Sequence, residues 1–176
     1  MFKSKRIFSL YLIWICVLVV SIQPTSAQEL TLAKKTAISW IDGNKPAYEE
    51  VALYIWDNPE LSLVEFKSAA KLQDYLAKNG FKIEKGVAGM PTAFVASWGS
   101  GKPVIGFLAE FDALPGLSQE PGVATRKPII PGGSGHGCGH NIFGTASATA
   151  AIATKVAMEK HGIQGTVKLF GTPAEE

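Results

Sequence analysis

The chain has 176 residues, of which 47% are hydrophobic and 18% are charged. This composition excludes a disordered chain, which would carry more charge and fewer apolar residues. Setting aside the three basic residues at positions 3, 5 and 6 reduces the 17 lysines and arginines to 14, against 15 acidic residues. No basic stripe remains, so nucleic acid is not an expected partner.

The first 27 residues have the pattern of a secretory signal peptide. The three basic residues precede an apolar run over residues 7–22, and the small residues 25–27 offer a cleavage site before Gln28. The alternative is an uncleaved anchor helix, although a transmembrane helix needs about 20 apolar residues and this run is shorter. The pattern therefore predicts a secreted or periplasmic protein without a stable membrane anchor. Cys16 would leave with the signal.

The next residues predict helices and then strands. Residues 30–56 carry apolar side chains at mainly three- and four-residue spacing, which predicts a helix interrupted near Gly43 and Pro46. A second helix is expected from about Leu63 to residue 79, with Gly80 as its C-terminal cap. Strand-like runs follow at residues 81–84, 92–98 and 104–109, and residues 100–101 are expected to form a hairpin turn between the last two.

A glycine-rich segment separates these strands from the last elements. Thirteen of the 18 glycines lie between residues 86 and 144, and four prolines lie between residues 115 and 131, which predicts mostly irregular loop. Asn141 is expected to be the N-cap of a helix over residues 142–161, closed by Gly162. A strand over residues 166–170 follows. Helices followed by strands that alternate with a helix predict an α/β layered domain.

A motif with metal-ligand chemistry lies at the end of the glycine-rich segment. His136, Cys138 and His140 alternate with glycines. In extended backbone alternate residues face the same side, so this spacing directs two or three ligands at one point. Sulfur and nitrogen donors suit zinc, and added carboxylates would also admit manganese or cobalt. The alternative is a glycine-rich surface turn with incidental histidines.

Carboxylates follow two of the predicted strands. Glu175 and Glu176 come after the strand at residues 166–170, at the edge where α/β enzymes place their sites. One of them could bind a metal while the other takes a proton from water; the alternative is a solvated pair. Glu110 and Asp112 follow the strand at residues 104–109, where they are candidates to orient a ligating histidine or are simply loop acids.

Three motifs together resemble a known family. They read Phe-Leu-Ala-Glu-Phe-Asp-Ala-Leu-Pro-Gly over residues 107–116, Gly-His-Gly-Cys-Gly-His-Asn over residues 135–141 and Gly-Thr-Pro-Ala-Glu-Glu over residues 171–176. In order and spacing they are similar to the co-catalytic metal amidohydrolases and metallopeptidases of the M20 type. Residues 86–106, together with Asn141 and Phe143 where several relatives carry an acid and a histidine, resemble the aminobenzoyl-glutamate-like branch.

The resemblance implies the α/β fold of zinc exopeptidases, a layered sheet with helices of the phosphorylase/hydrolase type, present here incompletely. It implies two divalent metal ions as cofactors, zinc or manganese, with cobalt a further candidate. Glu175 matches the general base that takes a proton from the attacking water. The matching metal ligands are Cys138, His140 and Glu176, and the matching positions near the site are His136 and Asp112.

The implied reaction is hydrolysis of an amide bond in an N-acyl amino acid or small peptide, with aminobenzoyl-glutamate as one candidate substrate. Relatives continue for several hundred residues and supply further metal-binding histidines. Residues 28–176 are therefore expected to be the N-terminal part of a catalytic domain that is inactive alone and forms a homo- or hetero-oligomer when full length.

Two other functions stay open at the level of sequence. One is a non-catalytic exported module that binds a metal or another ligand. The other is a cysteine hydrolase that uses Cys138 with His136 or His140, although the sequence shows no third group to orient the histidine. A thiol nucleophile would survive chelation, whereas a metal hydrolase would not.

Overall fold

The computed structural model of the chain describes residues 31–176, so the predicted signal peptide lies outside the described residues. Helix α1 spans Leu32–Gly43 and helix α2 spans Lys45–Asp57. Pro46 lies in the first turn of α2, where its missing N–H has no partner to lose. The predicted interruption near Gly43 and Pro46 is confirmed.

Helix α3 spans Phe66–Lys78 and begins three residues later than expected. Leu63 has φ 63°, a left-handed conformation that cannot continue an α-helix. The carboxylate of Glu60 accepts hydrogen bonds from the backbone N–H of Lys67 at 3.0 Å and of Ser68 at 2.8 Å, and so caps the first turn. At the other end Gly80 is left-handed, with φ 88°, as predicted for the residue that closes the helix.

Four strands form one sheet in the order β1-β2-β4-β3. They are β1 at Lys82–Lys85, β2 at Phe94–Ser100, β3 at Val104–Glu110 and β4 at Gly165–Thr172. The β1–β2 and β2–β4 pairs are antiparallel, and β3–β4 is parallel. A 3₁₀ turn at Val87–Gly89 separates β1 from β2.

The expected hairpin between β2 and β3 is wrong, because β4 lies between them. The connecting residues contact the start of β4 instead: the Gly101 carbonyl accepts from Thr166 Oγ1 at 2.8 Å, and the Pro103 carbonyl accepts from the Thr166 N–H at 2.9 Å. A connection of three residues can reach across two strand spacings, about 10 Å in all.

The glycine-rich segment is mostly irregular, as predicted, and leads into helix α4 at His140–His161. The prediction of Asn141 as the N-cap is wrong. The cap is Gly139, whose φ of 90° lies in the left-handed region that glycine adopts readily. Asn141 is buried in the first turn of the helix. Gly162 closes the helix with φ 63°, as expected.

The helices cover one face of the sheet in two layers. Helix α4 packs on β3 and β4 and helix α3 on β1 and β2, while α1 and α2 pack against α4. The core between them contains Leu72 and Leu76 of α3, Ile152 of α4, and Phe94 and Leu169 of the sheet. The predicted α/β layered fold is confirmed. Among residues 31–176 no helix is both long and apolar enough to cross a bilayer.

Candidate metal centre

The parallel pairing of β3 and β4 brings the predicted site residues to one edge of the sheet. Glu110, the last residue of β3, lies opposite Thr172, the last residue of β4. Asp112 lies two residues after the end of β3, and the pair Glu175–Glu176 follows β4. Since parallel strands end on the same side, these carboxylates converge at that edge.

Helix α4 starts at the same edge and approaches β3 closely. A Cβ atom on Gly144 would lie 2.4 Å from the carbonyl oxygen of Glu110. A glycine at this position therefore lets the first turn of α4, which carries His140, lie against the end of β3.

His140 lies at the centre of the site. Its ring is buried, and Nδ1 is 2.9 Å from Oδ1 of Asp112, which is itself buried. A carboxylate accepts, so Nδ1 donates and Nε2 keeps its lone pair for a ligand. Nε2 in turn lies 3.3 Å from Oε2 of Glu110, 3.7 Å from Oε2 of Glu175 and 3.9 Å from Oε1 of Glu176.

Two groups of potential metal donors surround this nitrogen. One is Cys138, His140 and Glu176, and the other is Glu110, His140 and Glu175; within each group the donor atoms lie within 4.8 Å of one another. Ligand atoms on a tetrahedral zinc are about 3.3–3.8 Å apart, so a small inward movement would complete either group.

The donor chemistry fits a divalent metal. Sulfur, imidazole nitrogen and carboxylate oxygen together suit zinc, and the additional carboxylates suit manganese. Even a protonated His140 would neutralise only one of the four carboxylates around it, so the cluster favours a cation. Both groups would use the single lone pair of Nε2, so His140 can complete only one of them at a time. The described residues therefore supply one group of three donors and, for a second metal, only the carboxylates of the other group.

Asp112 also holds the end of the chain segment that carries the two glutamates. Its Oδ2 accepts from the backbone N–H of Glu176 at 2.9 Å and from Ser62 Oγ at 3.3 Å. One buried carboxylate therefore orients His140 and fixes the backbone of Glu176. The sequence did not point to Ser62, which lies 50 positions before Asp112 in a loop with no motif.

Cys138 is exposed, and its environment does not activate the thiol. The hydrogen bond to Glu176 raises the pKa of Cys138, and desolvation by neighbouring groups and the charges of Glu176, Glu175 and Glu110 raise it further. A thiol with a raised pKa is a poor nucleophile at neutral pH. The structure does supply the orienting group that the sequence did not show, since Asp112 orients His140. The thiol, however, is hydrogen-bonded to a carboxylate, which disfavours a cysteine hydrolase.

His136 belongs to neither donor group, although the sequence pattern left it as a third ligand. Its ring is buried, with Nε2 3.0 Å from the carbonyl oxygen of Ile55 in α2, and Nδ1 has no hydrogen-bond partner among the described residues. Burial is the main cause that lowers the pKa of His136. The residue therefore joins the glycine-rich segment that carries Cys138 to α2.

Loop 58–65, which joins α2 to α3, supports the rest of the site. The Pro59 carbonyl accepts from Ser134 Oγ at 2.5 Å, and the Glu60 carbonyl accepts from the Ala113 N–H at 2.8 Å. These bonds join the loop to the segments that carry Asp112 and Cys138.

Comparisons with known proteins indicate the family to which the chain belongs. No family model matches the chain. It is 48% identical over 136 residues to one of the subunits of the p-aminobenzoyl-glutamate hydrolase of Escherichia coli (strain K12), a match that covers 77% of this chain and 28% of that protein. It is 31% identical over 169 residues to the Xaa-Arg dipeptidase of Mus musculus, with 86% of this chain and 34% of that protein covered. The chain spans about a third of the length of these curated relatives.

A solved structure adds agreement in the fold. The YXEP protein of Bacillus subtilis, described as a dinuclear metal binding peptidase from the M20 family, superposes with a TM-score of 0.54 and 25% identity, covering 75% of this chain and 36% of that one. The sequence relatives and the superposed structure are all hydrolases or peptidases, and the matches cover most of the chain. This chain therefore belongs to the M20-type family of metal-dependent amidohydrolases and peptidases.

Proposed function

We propose that the full-length protein hydrolyses the amide bond of an N-acyl amino acid or small peptide. The observation that carries this proposal is the buried His140, oriented by Asp112, with Cys138, Glu176 and Glu175 around its free nitrogen. The E. coli relative is named for p-aminobenzoyl-glutamate, which makes that compound the first substrate to assay.

The residues divide the chemistry between them. Two divalent metal ions, zinc or manganese, would polarise the substrate carbonyl and lower the pKa of the attacking water. Cys138, His140 and Glu176 would hold one of them, which accords with the dinuclear site named for the B. subtilis neighbour. Glu175, whose side chain is 52% exposed, is free to accept the proton of the water and deliver it to the leaving amine.

Two further features of the whole protein are part of this proposal. Residues 1–27 direct export to the periplasm or the medium, as their charge and apolar pattern support. The full-length protein acts as an oligomer, a proposal supported by the E. coli relative, whose name makes it one subunit of a hydrolase.

The test separates the two adjacent glutamates in the full-length protein. Glu175→Gln removes the base, so kcat on p-aminobenzoyl-glutamate should fall by roughly 10²–10⁴ while metal content stays near that of the wild type. Glu176→Gln removes a charged ligand, so metal occupancy should fall first, and excess metal should restore part of the activity. Metal analysis beside kinetics on both variants provides the measurement.

Glu159→Gln is the matched control, because Glu159 lies on the exposed side of α4 and pairs with Lys155. It should leave both metal content and kcat unchanged. If Glu175→Gln loses metal and Glu176→Gln keeps it, the two roles are reversed. A full-length protein that binds metal but hydrolyses no amide, with or without these substitutions, would instead be a binding module.

A further inference from the structure

A fully buried glutamate, Glu65, lies just before α3 and outside both donor groups. Its side chain is 0% exposed. Oε2 accepts from Thr92 Oγ1 at 2.7 Å, and Oε1 accepts from the backbone N–H of Ala174 at 3.0 Å. Burying a carboxylate is unfavourable unless it is hydrogen-bonded. The two hydrogen bonds of Glu65 therefore indicate which parts of the chain this side chain holds.

Ala174 is the residue that precedes the glutamate pair, and its backbone is left-handed. Its φ is 60°, a value that residues other than glycine rarely adopt. Such a conformation persists where the surroundings hold it. The N–H of Ala174 donates to Glu65, which places this buried carboxylate at the strained position.

A second buried carboxylate holds the same segment two residues later, where the Glu176 N–H donates to Oδ2 of Asp112 at 2.9 Å. We call Glu65 and Asp112 the carboxylate clamp. The clamp fixes the backbone on both sides of Glu175. Consequently it sets the directions in which the side chains of Glu175 and Glu176 leave the chain.

We propose that Glu65 is a positioning residue for the metal centre. By holding Ala174 in its left-handed conformation, it turns Glu176 towards Cys138 and His140 and leaves Glu175 beside the imidazole. This inference rests on the roles proposed above for the two glutamates. The competing explanation is that Glu65 only joins α3 to the start of β2 through Thr92.

The experiment measures metal affinity in the full-length protein rather than activity alone. Glu65→Met keeps the volume of the side chain but offers no acceptor oxygen. Metal-free protein is titrated with Co²⁺, and binding is followed by the visible absorption of the bound ion, which reports its coordination geometry. We expect Glu65→Met to weaken Co²⁺ binding by roughly 10- to 100-fold and to change the spectrum. Glu65→Gln keeps an acceptor for Ala174 and should bind like the wild type.

Thr92→Val is the matched control, because it removes the other hydrogen bond of Glu65 and leaves the one to Ala174. Thermal stability should fall in this variant while Co²⁺ affinity stays near that of the wild type. If Thr92→Val weakens Co²⁺ binding as much as Glu65→Met does, the role of Glu65 is structural and the proposal is overturned.

A rescue variant tests the route through Ala174. Glycine adopts the left-handed conformation without steric cost, so Ala174→Gly in the Glu65→Met background should recover part of the lost affinity. No recovery would count against the proposal. If Glu65→Met does not fold, hydrogen exchange of the wild-type protein at residue resolution tests the proposal instead. The N–H groups of Ala174 and Glu176 should exchange slowly. Fast exchange at Ala174 would overturn the proposal.

These outcomes are distinct from a failure of the proposed function. That function fails if the wild-type full-length protein hydrolyses no amide, and the role of Glu175 as base fails if Glu175→Gln keeps its kcat, whatever the affinity for Co²⁺. The positioning role fails on the Co²⁺ titrations, whatever the rate of hydrolysis.

Discussion

Asp112 uses both oxygens of one buried carboxylate for the site. Oδ1 accepts from His140, and Oδ2 accepts from the Glu176 N–H and from Ser62. Hydrogen bonds to a charged acceptor are each worth about 1.5–3 kcal/mol, and a donor left without its acceptor in a buried site adds its own cost. The orientation of two proposed metal ligands therefore depends on the charge of this one side chain.

Asp112→Asn keeps the shape of the side chain but replaces one acceptor oxygen by an NH₂ group. Either His140 or the Glu176 N–H then faces a donor, so we expect metal affinity to fall by roughly 10- to 100-fold. Metal titration of the full-length protein measures this. Ser62→Ala is the control, because it removes only the longest of the three bonds and should change affinity far less. Equal losses in the two variants would mean that Asp112 acts through general stability.

At this scale the sequence points to the candidate ligands and, in Asp112, to one group that orients them, but not to Ser62 or Glu65. The alternation of Cys138 and His140 with glycines, and the paired glutamates after a strand, are local patterns that the structure brings together. The contact between Glu65 and Ala174 joins residues 109 positions apart. No local pattern marks it, because it depends on how the strands are ordered.

At the scale of elements, the packing of α4 against β3 places His140 beside the strand ends. The two elements approach closely at Gly144, where an added Cβ would meet the Glu110 carbonyl oxygen at 2.4 Å and Leu72 Cδ1 at 3.3 Å. Backbone cannot yield as a flexible side chain does. A larger residue at this position would therefore move the helix.

Gly144→Ala should displace the first turn of α4 and so separate His140 from Asp112 and Glu110. Overpacking of this kind costs about 1–3 kcal/mol. We expect a lower Tm in thermal unfolding and weaker metal binding in the same variant. Gly43→Ala is the matched control, since it adds the same methyl group to a helix where nothing lies within 4 Å of it. A Gly144→Ala protein with wild-type Tm and affinity would contradict the close approach.

The sequence predicts these elements better than their arrangement. Apolar spacing and the glycines at residues 80 and 162 locate the helices because both signals are local. The same local reasoning fails for β2 and β3, which are neighbours in sequence but are separated in the sheet by β4. It also fails at Asn141, because the more permissive Gly139 takes the cap.

For the whole molecule, the predicted export and the candidate metal centre both affect the chemistry expected of Cys138. The predicted cleavage before Gln28 would place the protein in an oxidising compartment, where an exposed thiol is open to oxidation. Cys138 is exposed, and its neighbouring carboxylates favour a bound cation. A metal ion on the sulfur would therefore protect it.

We expect exported full-length protein to begin at Gln28. We also expect its Cys138 to resist alkylation while metal is bound. Removal of the metal by a chelator should make the thiol reactive with iodoacetamide, more so at about pH 9 than at pH 7. The hydrogen bond to Glu176 and the nearby charges raise the pKa of Cys138, and the thiolate is the reacting form. Mass spectrometry of the Cys138 peptide measures the change in labelling before chelation, after chelation and after the metal is restored. N-terminal sequencing of the same sample locates the cleavage. Equal labelling in all three states would remove Cys138 from the ligand set and return the cysteine hydrolase to consideration. Retention of Met1 in exported material would show that the signal is not cleaved.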